Sequence, residues 1–289
     1  MNKIKESRLL SFIVIAIIYV LATILQVVLF NKLAIDNLYI KILIIDGLAT
    51  IFVFVFSLIF NNASIYDPYW SMEPLIILIL LMSQNKINYP VVISFGIVAI
   101  IWSLRLTLNW AISFKNLTKQ DWRYTMLKEK TKKFYPLVNF FGIHLFPTLV
   151  VYLCIIPMID FININFTNYF SYFGIVIMLI GILFEILSDL DIYEYHKRNK
   201  DDRRQILQVG LWKYSRHPNY FGEILFWYGI FVSLFPVDPS HWYFVLGAVV
   251  NNLMFVFISI PMQEKRLKTY KFNYEKYQEE TRMLIPIKK

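Results

Sequence analysis

Apolar runs of about twenty residues recur from one end of the chain to the other, each closed by a short polar stretch. The runs cover residues 9–30, 39–60, 66–82, 89–114, 137–159, 169–190, 219–235 and 242–261. A helix needs roughly 20 apolar residues to cross a bilayer, so most of these runs predict membrane-spanning helices. Backbone groups in lipid must find partners within their own segment, and without strand-like alternation that leaves helices. The third run is the weakest, because its uninterrupted part, 74–82, is too short to cross alone. The fifth contains Pro147 and Pro157, whose kinks a packed bundle absorbs. The pattern predicts an all-α fold, a polytopic transmembrane helical bundle of about eight spans, with seven as the alternative.

Composition agrees. The chain is 57% hydrophobic and 18% aromatic, with a mean hydropathy of +0.52, beyond an ordinary soluble domain. The net charge of +9 is therefore read as loop charge that sets topology, not as a nucleic-acid footprint. Lys3, Lys5 and Arg8 precede the first run, and residues 115–133 carry seven basic against two acidic residues. Residues 194–216 and the tail from Glu264 are also basic, whereas the other loops hold little beyond Lys32 with Asp36, Lys86, Asp160 and Asp238. Eight spans put every basic loop and both termini on one side; seven break that pattern. The first run is too long for a signal-peptide core and lacks a small-residue cleavage site, so it is expected to be retained. Cys154, the lone cysteine, lies in an apolar run, which excludes a disulfide framework and a cysteine metal site. With no repeat, linker or low-complexity tract, one integral-membrane domain over 1–289 is expected.

The candidate chemistry concentrates at residues 210–223, Gly-Leu-Trp-Lys-Tyr-Ser-Arg-His-Pro-Asn-Tyr-Phe-Gly-Glu. Pro218 suits a first helical position, where its missing N–H is no loss. Asn219 and Glu223 then share a helix face, while Arg216 and His217 crowd the positive helix end. The stretch reads either as an anion grip or as a basic membrane-edge anchor.

Ionisable groups inside spans are costly and usually face a cavity. Trp102, Arg105 and Asn109 follow at steps of three and four, a polar stripe on the fourth run. Glu185, Asp189, Tyr193 and His196 form a second stripe running toward the basic loop. Asp67 and Pro68 predict a capped helix start, after which Tyr69 and Glu73 share a face where a tyrosine beside carboxylates can donate a proton. Tyr66 reads better as part of an interfacial aromatic belt. Asp46 has no partner nearby in sequence. Gln120, Asp121, Trp122, Arg123 and Tyr124 alternate aromatic and charged groups, suited to a nucleotide or to lipid headgroups. No glycine-rich phosphate loop occurs, and the four histidines are scattered, which disfavours a soluble-type nucleotide fold and a histidine metal cluster.

These elements resemble the steroid 5-alpha-reductase-like membrane proteins, in particular an uncharacterised branch of that superfamily. Residues 67–70, 120–124 after the helix bearing Arg105, Asp189, the 210–223 block and the tail Glu264, Tyr277 and Pro286 match in order, covering roughly 65–289. The resemblance implies an NADPH-dependent reductase of a C=C bond conjugated to a carbonyl in a lipid, with a cofactor cavity open to the cytoplasm. The cofactor contacts expected are Arg105, Asn109, Arg123, Tyr124, Asp189, His196, Tyr214, Arg216, His217, Asn219, Tyr220 and Glu223. Glu73, Tyr69 and Asp67 are the expected catalytic groups, and no metal is implied. Two departures stand out. The reductases place a Gln-Glu pair before a proline, where this chain has Met72, Glu73 and Pro74, and Trp102 stands where a tyrosine is expected. Isoprenylcysteine-type and phospholipid methyltransferases carry a similar block and tail that bind S-adenosylmethionine. Residues 67–70 and 120–124 favour the reductase. A non-catalytic lipid-binding scaffold is the third reading, disfavoured by the cost of Arg105, Glu185 and Glu223 within spans.

Overall fold

The computed structural model describes residues 2–84, 89–163, 168–199 and 202–289, and the regular elements among them are all helices. Lys86, together with Lys200 and Asp201 of the 194–216 loop, lies outside them. Among the described residues seven helical stretches are long and apolar enough to cross a membrane. They are Arg8–Lys32, Leu38–Ile59, Ala63–Gln84, Pro90–Ser113, Trp122–Asn163, Ser171–Arg198 and Pro239–Lys268. The remaining expected segment, Pro218–Leu234, is an apolar helix of 17 residues. The short third run gains its length from a 3₁₀ turn, Ala63–Tyr66, that leads into the helix after it. The chain is an integral multi-pass membrane protein.

Two compact units divide it, Met1–Asn163 and Ile164–Lys289. The first contains α1 (Arg8–Lys32), α2 (Leu38–Ile59), α3 (Tyr69–Gln84), α4 (Pro90–Ser113), α5 (Trp122–Thr131) and α6 (Phe146–Asn163). Helix α1 shows how the sequence orients such a bundle. Ser7 caps it by accepting from the Leu10 N–H. Its buried face, Ser11, Ile15, Ile18, Ala22 and Gln26, carries polar groups, while the exposed stripe Leu9, Ile13, Ile17, Val20 and Ile24 is wholly apolar. Against lipid there is no hydrophobic penalty for facing outward, so the polar and small residues turn inward. Helix α2 repeats the arrangement, burying Asp46, Ala49, Thr50, Val53 and Ser57.

Asp121 caps α5 through the Arg123 N–H, and α5 ends at Lys132 with φ of 48°. A one-turn helix, Tyr135–Val138, and a π-helical stretch, Asn139–Leu145, connect onward to α6. The wider π turn leaves Asn139 and His144 buried; such turns recur at functional sites.

The second unit contains α7 (Ser171–Arg198), α8 (Pro218–Leu234), α9 (Val245–Met254), α10 (Ile260–Lys268) and α11 (Tyr274–Glu280). Helices α7 and α8 meet through Gly174 and Gly181 on one and Gly222 and Gly229 on the other. A Cβ at Gly181 would lie 2.6 Å from the Gly222 carbonyl oxygen, and one at Gly174 would lie 2.3 Å from the Ser233 nitrogen. Such backbone contact needs glycine, and it is how helices associate where hydrophobic burial gives no drive. Pro218 occupies the first turn of α8 and His217 its N-cap, as the sequence predicts.

Candidate functional site

In the first unit, Tyr69 sits at the start of α3 and Glu73 one turn further on the same face, both buried. Tyr69 donates its hydroxyl to Asp46 Oδ1 at 3.3 Å. Gln26 of α1 donates to Glu73 Oε1 at 2.5 Å. The Asp46 and Glu73 carboxyls lie within electrostatic reach of one another. Around them, Thr148 bonds both Thr50, at 3.0 Å, and the Tyr66 hydroxyl, at 2.8 Å. The Tyr66 ring packs on Tyr69 and on His144, with centroids 5.5 and 4.7 Å away. Four helices thus bring two carboxyls, an amide, two phenols and two threonines into one buried cluster. Asp46 Oδ2, Glu73 Oε2 and Gln26 Oε1 are buried with no hydrogen-bond partner among the described residues.

Two expectations need correction here. Tyr66 is not part of an interfacial belt, being 2% exposed. Asp67 is not an N-cap: it closes the 3₁₀ turn with helical φ and ψ of −53° and −45°, and its carboxylate accepts the Tyr124 hydroxyl at 2.7 Å. Asp46, without a partner nearby in sequence, finds one in Tyr69 of α3. Gln26, an uncharged amide in an apolar run, gave no periodic or charge signal. It places an amide from α1 beside Glu73.

Residues 63–67 and 120–124 meet in this unit. Asp121 donates its N–H to Ser64 Oγ at 2.8 Å, alongside the Asp67–Tyr124 bond. Arg123 pairs with Asp121 at 2.8 Å. Trp102 is buried edge-on against Trp70, Arg105 is half-buried and Asn109 exposed.

In the second unit the 210–223 block and the tail fold into one hydrogen-bonded piece. Arg216 Nε donates to Glu264 Oε1 at 2.6 Å, and the guanidinium also donates to the carbonyls of Gln278 and Thr281, at 3.1 and 2.5 Å. His217 Nε2 lies 3.1 Å from the same Glu264 oxygen. The Arg216 N–H reaches the Arg282 carbonyl at 2.9 Å, and Tyr277 donates to the Trp212 carbonyl at 2.6 Å. The side chains of Arg216, Glu264 and His217 are 10%, 11% and 3% exposed. Burial holds the His217 imidazole below its ordinary pKa, and its contact with Glu264 partly offsets this. Tyr220 stacks on His217 and on Phe255. Glu223 is buried and accepts from Trp227 Nε1 at 2.8 Å. Asn219 is half-buried, with Oδ1 unpartnered among the described residues; Tyr214 is 39% exposed. On α7, Glu185 is buried, Asp189 half-buried and His196 exposed. The anion that Arg216 and His217 hold here is the chain's own Glu264.

The chain is 27% identical to an uncharacterised protein of Schizosaccharomyces pombe over 61% of its own length, and the match spans 56% of that relative. No solved structure matches it significantly. A family described as a protein of unknown function, DUF1295, matches residues 53–281, which takes in Tyr69, Glu73, the 120–124 stretch, the 210–223 block and Glu264. The chain belongs to the DUF1295 family.

Proposed function

We propose that this protein is a membrane-embedded, NADPH-dependent reductase of a C=C bond conjugated to a carbonyl in a lipid, related to the steroid 5-alpha-reductases. The observation that carries the reading is the bond from Gln26 to Glu73 beside Tyr69 and Asp46. It rebuilds, from separate helices, the Gln-Glu pair and tyrosine that such chemistry uses to take a carbonyl. Tyr69 and Glu73 would hold the carbonyl oxygen, polarising the enone. Two adjoining carboxyls out of reach of water retain a proton between them, because two bare charges there cost far more. That proton stabilises the developing enolate, and the adjacent carbon is protonated afterwards. When bound, NADPH would supply the hydride for the β-carbon. The 210–223 block fits an anionic nucleotide chemically. Glu264 stands in for an oxyanion on Arg216 and His217, and Asn219 Oδ1 is a buried acceptor with no partner among the described residues. Arg216, Asn219 and Tyr214 would hold the cofactor, and the basic loops set its entry toward the cytoplasm.

The second reading, S-adenosylmethionine-dependent methyl transfer to a lipid, is favoured by the way block and tail form one piece. The purified full chain separates the two. A thermal-stability rise with NADPH that Arg216→Gln weakens is expected, together with loss of enone reduction in Glu73→Gln and Tyr69→Phe. Stabilisation by S-adenosylmethionine and not by NADPH would replace the reductase reading with the methyltransferase one.

A further inference from the structure

A second site lies in the first unit, at the end of α2. A cavity of about 280 Å³ is lined by Ser57, Asn61, Lys128, Lys132, Tyr135 and Asn139, with Lys133 on its edge. Its lining carries three cations and no carboxylate. Two polar groups of its lining residues have no hydrogen-bond partner among the described residues. The Tyr135 hydroxyl and Asn139 Oδ1 are both buried and unbonded, in residues only 8% and 1% exposed. The remaining polar atoms are organised around them. Asn139 Nδ2 donates to Ser57 Oγ at 3.1 Å, and Lys128 donates to Asn61 Oδ1 at 2.8 Å while lying over the Tyr135 ring. Asn61 and Lys132 hold left-handed backbones, with φ of 47° and 48°, at this rim.

An unpaired hydroxyl, an unpaired carbonyl oxygen and three ammonium groups specify a ligand. The ammoniums and the phenol O–H, all donors, match the oxygens of a phosphate. Asn139 Oδ1 can only accept, so the ligand must bring a donor beside its phosphate. We propose that this cavity binds a phosphate ester bearing a neighbouring hydroxyl, such as a glycerol phosphate group. At about 280 Å³ it lies just below the ~300–1,000 Å³ range of drug-sized pockets, enough for a headgroup and too small for a dinucleotide. The site is therefore separate from the cofactor reading above. Exposed Leu58, Phe134, Leu137 and Phe141 flank it, which favours a phospholipid headgroup whose chains lie along that apolar surface over a soluble ester.

The test uses the purified full chain, with thermal stability titrated against two probes. One is phosphatidylglycerol mixed into phosphatidylcholine nanodiscs; the other is free glycerol 3-phosphate. Stabilisation by phosphatidylglycerol alone identifies a lipid site, and stabilisation by both identifies a site open to soluble esters. Tyr135→Phe removes a hydroxyl that bonds nothing among the described residues, so it should fold normally and weaken the response about tenfold, the loss of one hydrogen bond to a charged group. Lys133→Gln should weaken it as well, whereas Lys276→Gln, an exposed lysine in the other unit, should not. No response to either probe, or a response that Tyr135→Phe leaves unchanged, overturns the proposal.

Discussion

Replacing Glu264 with Gln removes a charge from a place that water barely reaches, and the cost can be worked from its contacts. Glu264 Oε1 takes Arg216 Nε and faces His217 Nε2, while Oε2 takes Gln278 Nε2. Removing one partner of a fully buried ion pair costs about 3–5 kcal/mol. Side chains 10% and 11% exposed sit slightly short of that limit, and the amide keeps one acceptor oxygen, which lowers the figure to about 2–3 kcal/mol. At ~2–4 °C per kcal/mol for a domain of a couple of hundred residues, Tm should fall by roughly 4–12 °C. Arg216→Gln alone should cost a similar amount, because it strands Glu264. The double variant should cost clearly less than the two singles summed, since neither charge is then left buried alone. Differential scanning of the three proteins in one detergent measures all of this. Inorganic phosphate should return part of the lost Tm to Glu264→Gln, as an oxyanion re-enters the place the carboxylate left. Strict additivity, or a single-variant loss below about 1 kcal/mol, would refute the buried-pair account.

Gly222→Ala puts a methyl carbon 2.5 Å from the Gly181 carbonyl oxygen and 2.7 Å from Glu185 Cγ, so α7 and α8 must part; about 1–3 kcal/mol is expected. Gly47→Ala, which meets nothing within 4 Å, should be neutral or better, and equal Tm losses at both sites would contradict the close-packing account. Tyr124→Phe deletes the bond to Asp67 and should cost ~1–3 kcal/mol by leaving that carboxylate under-bonded, read as a Tm loss absent from Met126→Leu at an exposed position on the same helix. Because burial depresses the folded pKa of His217, its share of stability is present above its unfolded pKa of ~6.5 and is lost as pH falls through the lower folded value. His217→Gln should therefore flatten the acid side of the Tm–pH curve, and an unchanged acid limb would show that His217 does not contribute.

What was legible in the sequence was whatever repeats or whatever is expensive. The apolar runs gave the spans because length and hydropathy are local quantities. The Pro218 helix start was legible because proline constrains its own backbone. The meeting of Asp67 with Tyr124, or of Arg216 with Glu264, was not, since a loop closure leaves no periodic trace. Asp67 looked like a cap because Asp before Pro usually is one; here Tyr124 competes for the carboxylate and wins. Gln26 stayed hidden for a simpler reason. A single neutral amide hardly alters the hydropathy of a 25-residue helix.

Gln26 is also where structure and chemistry part company. A polar cluster kept only to fix helix register would satisfy its own groups, because each unpaired polar atom in a dry interior costs of order 1–3 kcal/mol. The Gln26, Asp46 and Glu73 cluster leaves three oxygens with no donor among the described residues. A proton shared between the Asp46 and Glu73 carboxyls satisfies part of that deficit, and a substrate carbonyl would take over that hydrogen bond from the accepting carboxylate. The same reasoning sets apart the Arg216–Glu264 pair, whose atoms are consumed by backbone carbonyls and by each other. That pair braces its unit, and a cofactor oxyanion on Arg216 would have to displace Glu264, while the cluster around Glu73 reads as the place where a substrate carbonyl binds.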